Sequence, residues 1–307
     1  MRISYSALDT FNRCPLKYKF SYIDKVRVPQ KPEFFFGGLI HEVVQFALKK
    51  DPIMPPQAEL IAYFKDKWQE NIFATPQEAK QYFDWGENML RNFHSNHKPG
   101  LRNIVSTEKR FLIPVGEHQL SGMIDRVDKL PIGSYEVIDY KTSKTLPSQG
   151  EVDRDKQLCI YHLAVENLWS EAKDIRLTLY FLKHNSQIST KRRPDEVEGI
   201  KEYIINTAEK IEKETEFKPK TNIFCNYCEY GHLCPLQKHK AKGRDIEEKP
   251  EEIDNTINNY ILAHRKIAEL EPEIHKHFDK EKIERFFHKE GIVTRGKTKK
   301  LTIKKNS

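Results

Sequence analysis

The sequence predicts an α/β fold: a mixed central sheet flanked by helices, with a helical insertion and a C-terminal extension of helix and strand. Three observations predict it. Apolar residues recur at helical spacing up to about residue 96, then alternate in strand fashion over 104–140. Helical and strand patterns next alternate between 153 and 213, the order expected of helices packed on a mixed sheet. Over 241–252 the chain is charged and lacks aromatics, which suits a linker. The expected division is one domain over 1–242, with its helical insertion at about 51–100, and an accessory segment over 243–307.

In chain order, Ser6-Ala7-Leu8-Asp9 has capping-box spacing and predicts a short helix ending near Cys14-Pro15. Residues 24–36 hold two prolines and read as a loop. Leu39, Ile40, Val43, Val44, Ala47 and Leu48 predict a helix from Gly37 to Lys50. Helices are expected at roughly 56–73 and 77–96, both with aromatic residues on one face. Strands at about 104–115, 118–129 and 135–140, split by turn residues, predict a three-stranded antiparallel meander. A helix over 153–170, strands at 175–183 and 187–190, and a helix over 195–213 follow. A polar helix or helix pair over 253–288 and a strand from Lys299 to Lys305 complete the reading.

Hydrophobic residues make up 38% of the 307 and charged residues 32%, a globular rather than a disordered composition. No run approaches the roughly 20 apolar residues of a membrane span, and the polar N-terminus lacks a secretory h-region. A cytoplasmic protein that does not enter a membrane is expected. The net charge of +7 is modest. Its local concentrations are Lys191-Arg192-Arg193 and the tail, where Arg295, Lys297, Lys299, Lys300, Lys304 and Lys305 occur without an acid. The tail reads either as a solvated end or as a phosphate contact.

The densest chemistry lies in the meander and the helix after it. Asp125 ends a strand in Gly122-Met123-Ile124-Asp125-Arg126-Val127-Asp128, and Asp139 and Lys141 follow in Val137-Ile138-Asp139-Tyr140-Lys141. Residues two apart in a strand share a face, so Asp139 and Lys141 point the same way. Two carboxylates and an ammonium brought together suit phosphodiester hydrolysis. Carboxylate oxygens hold Mg2+ or Mn2+, and the lysine orients water or stabilises charge on the phosphoryl oxygens. A surface ion pair is the plainer alternative for the triplet alone. His41 lies on an early helix and is a competent Mn2+ ligand. Gln157 and Tyr161, four apart, share one helix face.

In this order the residues resemble the RecB-like branch of the PD-(D/E)XK nuclease superfamily. The matching pieces are Gly37-Gly38 with His41, Gly122 with Asp125-Arg126 and Asp128, Asp139-Tyr140-Lys141, and Gln157 with Tyr161. The opening Tyr5-Ser6-Ala7-Leu8, Phe11 and Cys14-Pro15 is similar to the segment that begins members of this family. The resemblance covers roughly residues 1–240 and implies a restriction-endonuclease-like core. It implies that His41, Asp125, Asp139 and the Tyr140 carbonyl hold the metal, and that Lys141 is the catalytic lysine. Gln157 and Tyr161 would line the site, with Glu108 as an auxiliary acid. The implied activity is exonucleolytic hydrolysis of single-stranded or frayed DNA ends in repair or recombination. The alternative is a DNA-end-binding module, with secondary nuclease activity, for a helicase or a CRISPR integrase. A chain of this length leaves no room for its own helicase motor.

Cysteine placement adds a second feature. Cys225, Cys228 and Cys234-Pro235 supply three thiolates, and Cys14, which begins the domain the others end, is the natural fourth. The spacing differs from the paired knuckles of a zinc ribbon, although zinc and plain buried cysteines stay open from the residues alone. The arrangement is similar to the iron–sulfur nucleases of the RecB-like group, AddB-type and CRISPR-associated, which implies a [4Fe-4S] cluster. Such a cluster would staple a long loop. Cys159 reads as a small buried apolar residue.

Two further patterns are weighed. Gly291 to Thr298 satisfies the P-loop expression, but only nine residues follow and they are strand-like, so a turn into a terminal strand is expected. Tyr63, Phe64, Trp68, Tyr82, Phe83 and Trp85 could stack bases; core packing is expected for most of them.

Overall fold

The computed structural model describes residues 1–49, 53–97, 103–237, 250–296 and 301–305. Chain contacts divide it into two compact units, Met1–His239 and Lys240–Ser307.

The first unit is built on a mixed six-stranded sheet. Its long strands are β2 (Asn103–Val115) and β3 (His118–Lys129), antiparallel along nearly their whole length. β4 (Ser134–Lys141) completes the expected meander, β5 (Asp174–Phe181) joins β4 in parallel, and β6 (Ser186–Thr190) closes the edge antiparallel to β5. β1 (Arg2–Ser4) runs parallel to β3 and is a strand the sequence did not reveal; three residues are too few to show a period.

Helices cover both faces. α1 (Tyr5–Arg13), α7 (Lys156–Leu168) and α8 (Pro194–Lys213) contribute to one core with Val127, Tyr135 and Val137 of the sheet. α3 (Pro32–Leu48), α4 (Gln57–Asp66) and α5 (Pro76–Asn96) form the other with Ile138, Tyr140 and Tyr180. β4 therefore sends alternate residues into two cores, which is why it is buried at nearly every position. Gly86 lets α4 and α5 close: a Cβ there would sit 2.5 Å from the Phe64 ring.

Several boundaries move for local reasons. The cap of α1 is Ser4, whose hydroxyl accepts from Ala7 N at 3.3 Å, rather than Ser6. α1 ends at the extended Cys14, and Pro15 starts α2 (Pro15–Tyr18). α3 begins at Pro32, inside the expected loop, because proline is well suited to a first helical turn. α4 stops at Asp66, and a 3₁₀ turn at Glu70–Ile72 takes the rest of that prediction. The helix expected over 153–170 is two: α6 (Gln149–Asp153), with a Ser148–Glu151 capping box, and α7, capped anew by Asp155.

Among its described residues the second unit holds a helix, α9 (Pro250–Glu281), and a small antiparallel sheet of β7 (Arg285–His288), β8 (Gly291–Arg295) and β9 (Leu301–Lys305). β7 replaces the last part of the expected helix. The P-loop expression begins on β8, which is paired on both edges, so its first residues form a strand rather than the expected turn or a phosphate-cradling loop. Arg295 of the basic tail is held by Asp279 and Glu284. Lys297, Lys299, Lys300 and most of the expected linker over 241–252 lie outside the described residues. No helix among the described residues is long and apolar enough to cross a membrane.

Candidate active site

The site forms where β4 parts from β3. Their ladder runs from Lys129 opposite Tyr135 to Arg126 opposite Ile138 and stops, while β1 covers β3 only at Gln119–Ser121. Asp125 is the first residue past the ladder. Its Oδ2 accepts the Tyr140 backbone N–H at 2.9 Å, so a side chain closes the gap where a strand carbonyl would otherwise pair. His41 Nδ1 of α3 lies 3.3 Å from the same oxygen.

Asp139 and Lys141 project together toward α7, with Lys141 Nζ 2.5 Å from Asp139 Oδ2. Lys141 Nζ donates to Gln157 Oε1 (3.1 Å), Gln157 Nε2 donates to Tyr161 Oη (2.9 Å), and Tyr161 Oη donates to Asp139 Oδ1 (3.2 Å). Four side chains from one strand and one helix thus close a ring. Asp139 is buried, and its Oδ2 accepts no directed hydrogen bond although the ammonium is close.

Environment sets the charge of each group. Burial opposes the Lys141 ammonium, but Asp139 outweighs it, so its pKa is raised. Burial, reinforced by Asp139 and Asp125, holds the Tyr161 phenol well above its ordinary range. Burial likewise raises Asp139, partly offset by Lys141. Burial pulls His41 down, yet Asp125 and Asp139 leave its net pKa raised.

Glu108 of β2 lies opposite Asp125, between the Thr107–Arg126 and Lys109–Ile124 pairs, with φ of +46°. It lines a small cavity with His41, Asp125 and Tyr140. A left-handed glutamate inside a strand is strained.

Arg126 and Asp128, from the same motif, turn away from the site and form a fully buried bidentate pair at 2.6 and 2.7 Å. Two positioning residues escaped sequence reading. Asp155 caps α7, accepting from Leu158 N at 3.0 Å, and so aims Gln157 and Tyr161. Arg192 donates to Val152 O and Asp155 O at 3.0 and 2.9 Å, fixing the α6–α7 corner. The Asp155 cap was visible as an acid three residues before Leu158; the clamp by Arg192 spans too much sequence to show. Lys191 pairs with Asp174 and Arg193 with Asp195, so all three residues of that basic cluster have protein partners.

At the far corner, the segment before Cys225 docks on the end of α1. Lys220 N donates to Cys14 Sγ at 3.5 Å, Asn222 N to Cys225 Sγ at 3.2 Å, and Asn222 Nδ2 to Arg13 O at 3.1 Å. Two 3₁₀ turns, Cys225–Tyr227 and Gly231–Leu233, precede Cys228 and Cys234. These four thiols are free and half-buried. Cys159 is buried against Glu196 O, and burial pushes its thiol up to about 11. Among the described residues no three His, Cys, Asp or Glu side chains converge as a finished metal cage, at either place. The donors at the first place, carboxylate oxygens with an imidazole, are of the kind that hold Mg2+ or Mn2+; the four cysteines at the second are free.

A family profile described as the PD-(D/E)XK nuclease superfamily matches residues 2–235. The chain belongs to that superfamily. The match takes in every residue of the charged ring and all four half-buried cysteines. Among curated proteins, this PD-(D/E)XK chain is 24% identical over 190 residues to an ATP-dependent helicase/deoxyribonuclease subunit of Streptococcus uberis, covering 59% of this chain and 17% of the relative. It is 25% identical over 155 residues to the protein of the same name from Streptococcus agalactiae, covering 47% and 14%. The chain thus spans less than a fifth of the length of these relatives. A solved structure from Eubacterium rectale, provisionally described as an exonuclease, aligns with a TM-score of 0.47 at 12% identity, over 83% of this chain and 92% of that one.

Proposed function

We propose that this nuclease-superfamily chain is a metal-dependent exonuclease hydrolysing single-stranded or frayed DNA ends in repair or recombination, working beside a helicase. The observation that carries the reading is the closed ring of Asp139, Lys141, Gln157 and Tyr161 beside Asp125 and His41. A helicase is the proposed partner because the matched relatives carry that word in their names; neither relative names a CRISPR integrase.

His41, Asp125, Asp139 and the Tyr140 carbonyl would hold Mg2+ or Mn2+, which supplies Lewis acidity toward the scissile phosphate. Lys141 stays an ammonium, so it acts as a donor to water or to the phosphoryl oxygens and not as the base. Tyr161 stays a phenol and holds Asp139 through Oδ1. Gln157 links that phenol to the lysine and fixes where the ammonium points.

The test is degradation of 5′- and 3′-labelled single strands with Mn2+. Wild type is expected to shorten them from an end, and Lys141→Ala to lose about 10²–10³-fold in rate. Equal rates for both proteins would sink the enzyme reading and leave a DNA-end-binding module; faster cutting of RNA would redirect the substrate.

The same proposal includes a [4Fe-4S] cluster on Cys14, Cys225, Cys228 and Cys234, supported by their spacing and by the N–H groups aimed at Cys14 and Cys225. Protein purified without oxygen should be brown and hold iron and acid-labile sulfide. Cys14→Ser should bleach it and lower its melting temperature, because the staple between the ends of the unit is lost. Colourless protein with one equivalent of zinc would replace the cluster by zinc.

A further inference from the structure

Trp85 of α5 takes no part in the chemistry above. It is half-buried, and two lysines lie over its indole: Lys183 Nζ at 3.9 Å and Lys144 Nζ at 4.8 Å from the ring centroid. No carboxylate among the described residues pairs with either lysine. Two ammonium groups beside one ring repel each other, and an anion between them would relieve that repulsion.

The two lysines come from the loops that leave β4 and β5, and both loops are tied to Lys141. Leu182 N, next to Lys183, donates to Lys141 O at 2.9 Å. Lys144 is only three residues beyond Lys141, so the two Cα atoms are at most about 11 Å apart. A hydrogen bond between His184 Nε2 and Lys144 O, 3.0 Å long, joins the loops to each other. Both lysines are thus carried on backbone tied to that of the proposed catalytic lysine, and they reach the indole from it.

We propose that Trp85, Lys144 and Lys183 form a subsite for the nucleotide next to the one being cut, the indole stacking its base and the lysines holding its phosphates. The ligand class is single-stranded nucleic acid, because a flat indole edged by cations that have no carboxylate partner among the described residues matches an unpaired base with its phosphodiester. The inference rests on the nuclease reading above, and it gives a use to two cations beside Trp85, one of which, Lys144, also lies 5.3 Å from the Tyr82 ring centroid.

The test measures binding of a short fluorescein-labelled oligothymidylate in a Lys141→Ala background, so that no strand is consumed. Lys144→Gln with Lys183→Gln should lower the slope of log affinity against log salt by about 1.4, or 0.7 for each phosphate contact on a single strand. Trp85→Phe should weaken binding roughly ten-fold and remove most of the tryptophan quenching caused by the oligonucleotide. An unchanged salt slope, or quenching that survives Trp85→Phe, overturns the subsite even where Lys141-dependent cutting is intact. A lower melting temperature with unchanged slope and quenching also overturns it, since the lysines would then only cover the helix. Absence of Lys141-dependent cutting with a reduced slope sinks the nuclease reading and keeps the nucleic-acid site.

Discussion

β3 and β4 carry two ion pairs with the same spacing, an acid and a base separated by one residue, and the pairs behave in opposite ways. Arg126 and Asp128 lie where β4 covers β3, are closed to solvent, and meet through two parallel hydrogen bonds. Asp139 and Lys141 lie where β4 has left its partner; the lysine is a third exposed and one Asp139 oxygen has no directed hydrogen bond. The first pair is closed on itself, while the ammonium of the second stays partly open to solvent beside its buried carboxylate. The second pair is therefore the one placed to meet a ligand.

The largest expected effect tests the closed pair. Asp128→Ala leaves the Arg126 guanidinium buried without its partner, which costs about 3–5 kcal/mol. Thermal or denaturant unfolding should show that loss, at a temperature lower by roughly 6–20 °C. A change under about 1 kcal/mol, the worth of an exposed pair, would mean that Arg126 reaches water or that Tyr140 Oη, 3.5 Å away, replaces the acid.

Asp139→Asn tests the open pair and should invert the result. It removes a buried charge beside Asp125 and keeps the shape, so the melting temperature should hold or rise while cleavage falls about 10²–10³-fold. Loss of stability comparable to Asp128→Ala would make the two pairs equivalent and remove the contrast.

This contrast also shows how far the sequence was legible. The meander, the order of helices, the shared face of Asp139 and Lys141 and that of Gln157 and Tyr161 were readable because each rests on local spacing; Asp125 joined them only through the resemblance. Arg126 and Asp128 stood in the same motif without a role, and their pairing was not legible, since alternation says which residues share a face but not where the adjacent strand ends. The short β1 was hidden because its partner lies more than a hundred residues away, and the helix break at Asp155 because apolar spacing runs through it. Hydrogen-bond reciprocity across α7 and β4, the feature that joins the site, exists only once the chain is folded.

The smallest effect is the most diagnostic. Tyr161 Oη receives from Gln157 and donates to Asp139, so Tyr161→Phe opens the ring at one atom and leaves the packing intact. Losing such a bond costs about 1–3 kcal/mol, because Gln157 Nε2 and Asp139 Oδ1 each forfeit a buried partner. If the ring only braces the fold, that loss appears in unfolding and the folded enzyme cuts at its normal rate. If the ring aims Lys141, kcat should fall about ten-fold or more with little change in KM, and Gln157→Ala should fall by a similar factor. The double variant should then lose little beyond either single one, since one broken link already frees the lysine. Additive losses would mean that Gln157 and Tyr161 act separately, and that the ring is an arrangement of neighbours rather than a unit.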